Sequence, residues 1–232
     1  MDEKEFLKKS IEADAKLYGP APSGGGVKAK LSGISNRIFG IIKLILGICL
    51  LAFVYSATLA FLGEFNTVEK SLQNAFWAGV ISFTIMYLFV YEAGIVYKKG
   101  QRILELIFKF FAPLVKVAPY LLPIYTILIF TIYLLLTLFV KSDALLPNSL
   151  FLLGFSLCLH LIFSAKSMRS RQGDFLKSNY IFGFSFIYIV NLLLLCFFLN
   201  VIFEKFSFVN FCNNSYQAGA GIFKAIFKQL FL

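Results

Sequence analysis

The chain has 232 residues, of which 59% are hydrophobic and 18% aromatic, and its formal net charge is +10. Apolar residues make up about half of an ordinary soluble domain, so this composition excludes that class and indicates an integral membrane protein. The lysines and arginines lie beside the apolar runs, as the positive-inside rule expects, so we predict the lipid bilayer and not nucleic acid as the partner of the positive charge.

Residues 1–37 form a polar arm before the first apolar run. Their mixed acids, lysines and spaced apolar residues predict a short cytoplasmic amphipathic helix, which ends at Gly19-Pro20 and is followed by a flexible glycine-rich linker. Lys28, Lys30 and Arg37 would draw this arm to anionic lipid. The alternative is a helix that docks on a partner protein.

Five apolar runs follow, and each is a candidate membrane span because about 20 residues in a helix cross the hydrocarbon core. They cover residues 38–62, 75–96, 120–140, 149–165 and 180–203. We therefore predict an all-α fold, a polytopic membrane helix bundle with a five-helix transmembrane domain at residues 38–203. Residues 103–117 are amphipathic and contain Lys109 and Lys116, so they predict an interfacial helix and not a span.

The distribution of positive charge predicts the orientation of the bundle. Lysine and arginine are frequent before the first span and after the second, whereas the loop between these spans carries Lys70 alone. The N-terminus is therefore expected in the cytoplasm, and five spans put the C-terminus outside. Residues 204–232 form an extracytoplasmic amphipathic tail, whose last helix is expected to rest on the outer leaflet surface or to dock on the bundle or a partner.

Few polar groups lie within the predicted spans, and Glu92, His160 and Asn191 are the notable ones. An ionisable group at membrane depth suggests a function because its desolvation must be offset. Glu92 lies close enough to the cytoplasmic interface for a lysine to pair with it, however. A lone histidine in a bundle is more often a hydrogen-bonded packing residue than a metal ligand, and Asn191 is expected to bond across helices.

Three local patterns occur in a defined order along the chain. The first is residues 91–95 and the second is residues 118–126. The third consists of residues 159–163 together with residues 172–175, which follow them. In this order the chain from about Asn74 to Phe203 resembles the site-2 protease family of intramembrane zinc peptidases. Its bacterial relatives are polytopic membrane proteins that carry HExxH at the cytoplasmic end of a membrane helix. The resemblance implies a bacterial cytoplasmic (inner) membrane protein.

The resemblance also shows where this chain departs from the family. The general-base glutamate is matched by Glu92, but Tyr91 and Ile95 stand where the two zinc-binding histidines should be, and Asp174 matches a polar position that can be a third ligand. A phenol and an isoleucine cannot replace two imidazoles at i and i+4 in a tetrahedral zinc site. Without zinc, nothing lowers the pKa of an attacking water toward neutrality.

We therefore expect that the protein is not an enzyme and that it has neither a metal site nor a cofactor. The sequence predicts a pseudoprotease-like scaffold, or a subunit of a larger membrane complex whose partners are other membrane subunits or copies of itself. The alternative is transport or lipid handling, with Glu92, His160 and Asn191 lining a path. An active intramembrane metallopeptidase is the least favoured reading.

Overall fold

The computed structural model describes residues 26–89, 94–170 and 177–231, and these residues contain helices and no strand. The eight helices are α1 (Gly26–Phe65), α2 (Lys70–Phe89), α3 (Gly94–Ile107), α4 (Ala112–Leu121), α5 (Ile124–Phe139), α6 (Leu145–Ser170), α7 (Lys177–Ile202) and α8 (Phe208–Phe231). The expected all-α class is therefore confirmed for the described residues. The chain divides into two compact units after Phe39, and every contact described below lies within residues 40–231.

Among the residues that the structure describes, four helices are long and apolar enough to cross a membrane. They cover Ile38–Phe65, Lys70–Phe89, Leu145–Met168 and Tyr180–Ile202, and they correspond to the first, second, fourth and fifth predicted spans. The helix that matches the second predicted span begins at Lys70 and not near residue 75. The helix that matches the fourth predicted span, Leu145–Met168, is longer at both ends than the predicted residues 149–165. Helix α2 ends at Phe89, and residues 94–96, the predicted end of the second span, belong to α3. Residues 90–93 lie outside the described ranges.

The third predicted span, residues 120–140, is divided in the structure. Helix α4 ends at Leu121, and α5 begins at Ile124 and has only 16 residues, which extend about 24 Å against a hydrocarbon core of about 30 Å. The expectation of one continuous helix beginning at Tyr120 was wrong. Pro123 has no amide hydrogen, so it cannot donate to the Pro119 carbonyl as residue 123 of a continuous α-helix would.

The core is tightest where α2 crosses α6. A Cβ added at Gly79 would collide with the Phe151 carbonyl oxygen, and one added at Gly154 would collide with the Phe76 carbonyl oxygen. The two backbones approach this closely because each helix presents a glycine to the other, as small residues commonly do between membrane helices. Next to this crossing, large apolar side chains such as those of Phe65, Phe76, Leu150, Leu153 and Leu195 are almost fully buried.

Helix α8 packs on α1 and runs in the opposite direction. At its start, the Ser207 amide donates to the Glu64 carboxylate (3.4 Å), and the Asn214 amide also donates to Glu64 (3.5 Å). Farther along α8, the Phe223 ring lies 5.5 Å from the ring of Phe53, measured between centroids. The tail helix therefore runs back along α1 from Glu64 to Phe53, and in the structure it docks on the bundle.

Candidate functional site

The break between α4 and α5 leaves backbone carbonyls that a continuous helix would have bonded. The Ile124 amide would donate to the Tyr120 carbonyl in an unbroken helix, but it donates to the Leu122 carbonyl instead (3.0 Å). Regular bonding resumes only with the Ile127 amide, which donates to the Pro123 carbonyl (3.0 Å). Buried carbonyls at such a break need donors from other helices.

Helix α6 supplies the donors for Tyr120. His160 Nε2 lies 3.1 Å from the Tyr120 carbonyl oxygen, and the Ser164 hydroxyl, one turn later, donates to the same oxygen (3.2 Å). A carbonyl oxygen only accepts, so a bond from His160 requires the hydrogen to be on Nε2. His160 is 4% exposed, and its ring therefore acts as an internal cap for the end of α4.

Helix α7 supplies the donor for the next carbonyl. The Asn191 side-chain amide donates to the Leu121 carbonyl (3.0 Å) and to the carbonyl of Ile187 on its own helix (2.8 Å). Both acceptors are carbonyl oxygens, so they fix the orientation of the carboxamide group. Asn191 Oδ1 is buried and has no hydrogen-bond partner among the residues that the structure describes, a state that costs about 1–3 kcal/mol.

The hydrogen bonds continue from the break to α3. The hydroxyl oxygens of Ser164 and Tyr97 are 3.0 Å apart, and the Gln101 side-chain amide donates to the Tyr97 hydroxyl (3.1 Å). Tyr97 is buried, and desolvation raises the pKa of its phenol, which keeps the hydroxyl protonated and able to donate. A chain of polar groups thus leads from the half-buried Gln101 to the interrupted helix.

The structure brings together two of the predicted residues and separates a third. His160 and Asn191, from different helices, bind the consecutive carbonyls of Tyr120 and Leu121. Ile95 lies on α3 with 55% of its surface exposed. Three other predicted positions, Tyr91, Glu92 and Asp174, lie outside the described residues.

Sequence reasoning missed Tyr97, Gln101 and Ser164, because serine, tyrosine and glutamine at the ends of apolar helices are ordinary residues. The signal that could have indicated this site is the pair Pro119 and Pro123. Proline at position 123 removes the amide that would bond to the carbonyl of residue 119. Nearby helices could have been expected to carry compensating donors.

An apolar cleft of about 360 Å³ lies among α1, α2, α6 and α7. Its walls are formed mainly by large apolar side chains, including Phe61, Leu62, Trp77, Val80, Leu161 and Leu192. Its polar contribution includes the hydroxyl groups of Thr58 and Tyr188, which are hydrogen-bonded to each other at 2.9 Å. The cleft is in the size range of sites that bind small molecules or anchoring side chains.

Within the described ranges, no group of three histidine, cysteine, aspartate or glutamate residues is placed to hold a metal ion. The four cysteines, Cys49, Cys158, Cys196 and Cys212, are free thiols. Comparison of the chain with protein-family models, with curated proteins and with solved structures gave no match.

Proposed function

We propose that the protein is a non-catalytic integral membrane protein that serves as a pseudoprotease-like scaffold or a subunit of a larger complex in a bacterial inner membrane. The observation that carries this proposal is the apolar cleft among α1, α2, α6 and α7. Four helices of sufficient length and apolarity surround it.

The outer surfaces of these helices support a bilayer location. Ile41, Ile45 and Ile48 on α1 are each more than half exposed, as are Ile81 on α2 and several residues of α5. Monomeric soluble proteins rarely expose contiguous apolar patches of this kind. In a bilayer the same side chains are solvated by acyl chains at no cost.

Inside a bilayer, a cleft between helices offers binding energy through packing, because lipid provides no hydrophobic driving force between helices. Two or three apolar side chains of a neighbouring membrane segment can fill the space beside Trp77 and Leu161. A partner that fills the cleft gains contacts that disordered lipid chains make less well. We therefore assign the cleft as the surface that holds another membrane subunit.

A photoreactive residue at position 77 tests this assignment in cells. We expect one cross-linked partner polypeptide, and we expect its yield to fall at least fivefold when Leu161→Phe fills the cleft. The matched control is the same photoreactive residue at position 132, because Ile132 is 52% exposed on α5 and lies outside the cleft. Equal adducts at both positions, or an adduct unaffected by Leu161→Phe, would contradict the proposal.

The absence of peptidase activity rests on the residues at the HExxH position, where Tyr91 and Ile95 replace the imidazole ligands. Metal analysis of the purified protein tests it directly. We expect less than one zinc ion for every ten protein molecules. Stoichiometric zinc that is lost in Glu92→Gln or Asp174→Asn would overturn this part of the proposal.

Transport is the second candidate, and the interrupted helix α4–α5 favours it. Many transporters bind solutes where a membrane helix is discontinuous and its backbone groups are available. Here His160 and Asn191 bind the two carbonyls at the break, and Asn191 Oδ1 has an open acceptor position among the described residues. A solute would have to compete with these internal donors.

Flux measurements in proteoliposomes separate the two candidates. Transport predicts a solute flux that Asn191→Leu or Glu92→Ala abolishes while the protein remains folded. The scaffold proposal predicts no flux above that of empty vesicles for the native chain.

A further inference from the structure

Helix α8 carries a stripe of polar residues that no part of the described chain covers. The stripe consists of Asn210, Asn213, Gln217, Gly221, Lys224 and Lys228, and all six residues are exposed. Their spacing of three or four residues puts them on one helix face. We refer to this face as the α8 polar stripe.

The opposite face of α8 is fixed against α1. Phe211 is almost fully buried, and Gly219 packs so closely on α1 that a Cβ there would lie 3.1 Å from the Phe53 ring and 3.6 Å from Ser56 Oγ. With the contacts of Ser207 and Asn214 to Glu64, this packing holds α8 along about half of the apolar length of α1. The polar stripe therefore faces away from the bundle.

The contact with α1 also sets the depth of the stripe in a bilayer. Lys43 and Glu64 bracket the uncharged part of α1, and the intervening residues extend about 30 Å, which is the thickness of the hydrocarbon core. Phe53 lies near the middle of this interval. Because Phe223 packs on Phe53, Lys224 lies near the middle of the bilayer.

An ammonium group at that depth is costly unless it is paired. No hydrogen bond or ion pair joins Lys224 or Lys228 to any residue that the structure describes. Lys228, one turn farther along, can direct its ammonium toward the headgroups near the level of Lys43. Lys224 has about half the bilayer to cross and needs a partner within it.

We propose that the α8 polar stripe binds a transmembrane segment of another subunit that carries a carboxylate at the level of Lys224. This inference rests on the proposed scaffold function and names the chemistry of its partner. The carboxylate neutralises the lysine charge, and the amides of Asn213 and Gln217 can bond across the helix pair. Gly221, which has nothing within 4 Å of an added Cβ, lets the partner backbone approach closely.

A second copy of this chain does not provide that chemistry. Two copies related by an axis along the membrane normal would bring their α8 stripes together with Lys224 facing Lys224, which is repulsive. Lipid acyl chains at the same depth offer no acceptor. An acidic segment is the occupant that matches both the charge and the depth of the stripe.

The test uses the full chain in phosphatidylcholine vesicles, with a photoreactive residue at position 217. The probes are synthetic transmembrane peptides of leucine and alanine with aspartate, leucine or lysine at the central position. We expect at least fivefold more cross-linking with the aspartate peptide than with either of the others. The variant Lys224→Met/Lys228→Met should lose this preference, whereas Lys224→Arg/Lys228→Arg should retain it.

A matched control puts the photoreactive residue at position 209, since Val209 is exposed on α8 outside the stripe, and there the three peptides should cross-link equally. Equal cross-linking of the three peptides at position 217, or a preference that survives Lys224→Met/Lys228→Met, would overturn the proposal.

The depth of the stripe is measured separately with a fluorophore at position 224 and spin-labelled lipids. We expect stronger quenching by labels in the middle of the acyl chain than by labels on the headgroup. Headgroup quenching would show that α8 lies on the lipid surface and would also overturn the proposal. Neither result depends on cross-linking at position 77, so failure of the stripe proposal can be distinguished from failure of the scaffold proposal.

Discussion

Asn191 donates one amide hydrogen to the Leu121 carbonyl at the end of α4 and the other to the Ile187 carbonyl of its own helix, and it leaves Oδ1 without a described partner. Replacing it by leucine removes the donor for the Leu121 carbonyl and also removes the unpaired acceptor. The two effects oppose each other, and hydrogen bonds between membrane helices are themselves modest. We expect Asn191→Leu to lower the free energy of unfolding by about 1 kcal/mol.

Unfolding of the purified protein in mixed micelles measures this effect. The control is Asn148→Leu, because Asn148 is exposed at the start of α6 and its substitution should change stability by less than about 0.5 kcal/mol. A stabilised Asn191→Leu protein would mean that the buried acceptor costs more than the two hydrogen bonds contribute.

Gly79 and Gly154 give the second prediction at the residue scale. A Cβ at either position would collide with a backbone carbonyl of the facing helix, and a backbone cannot move aside as a flexible side chain can. We expect Gly79→Ala or Gly154→Ala to lower the free energy of unfolding by about 3 kcal/mol, at the upper end for overpacked cores.

The control for this pair is Gly63→Ala on α1, where nothing lies within 4 Å of the added Cβ. Alanine there should be neutral or slightly stabilising, because it favours the helix by up to about 1 kcal/mol over glycine. Thermal unfolding of the three variants in one detergent gives the comparison. Equal melting temperatures would contradict the close crossing of α2 and α6.

At the scale of elements, the interruption of α4–α5 depends on Pro123. In Pro123→Ala, position 123 gains an amide hydrogen, and the two helices can join with regular bonds to the Pro119 and Tyr120 carbonyls. His160 and Asn191 would then no longer be needed as caps. We therefore expect Asn191→Leu to cost less in the Pro123→Ala background than in the native chain, with a coupling energy of about 0.5 kcal/mol or more.

The double-mutant cycle requires the unfolding free energies of the native chain, both single variants and the double variant. Pro147→Ala is the control background, because Pro147 lies in the first turn of α6, where a missing amide has little effect. The prediction fails if the cost of Asn191→Leu is the same in all three backgrounds.

For the whole molecule, the positions of the loops predict how α5 crosses the bilayer. The Thr67 hydroxyl donates to the Lys205 carbonyl (3.2 Å), so the loop after α1 and the loop after α7 share one end of the bundle. At the other end, the Tyr125 hydroxyl donates to the Val96 carbonyl (2.6 Å). Helix α5 therefore starts near α3 and runs toward the end that contains Thr67.

Single cysteines in a cysteine-free background test this arrangement with a membrane-impermeant thiol reagent. We expect Thr67→Cys, Ser142→Cys and Lys205→Cys to react from one side of the membrane, and Lys99→Cys and Lys166→Cys to react from the other. If Ser142→Cys reacts together with Lys99→Cys, α5 does not cross, and the bundle has four spans.

The sequence by itself determined the helical class and four of the long apolar helices, because apolar runs of about 20 residues and few charges depend only on local composition. It also singled out Glu92, His160 and Asn191 as the polar groups that need partners. It did not determine that α4 ends at Leu121, since a proline near a helix start is compatible with a continuous span.

Only the tertiary structure decided that His160 and Asn191 bind adjacent carbonyls, because their partners are separated from them by 40 and 70 residues. It also decided the position of α8. The amphipathic pattern of residues 208–231 is equally compatible with a lipid surface and with a protein surface, and the contacts of Gly219 and Phe223 with Phe53 select the protein. Sequence patterns report which face of a helix is apolar, whereas long-range packing determines what that face touches.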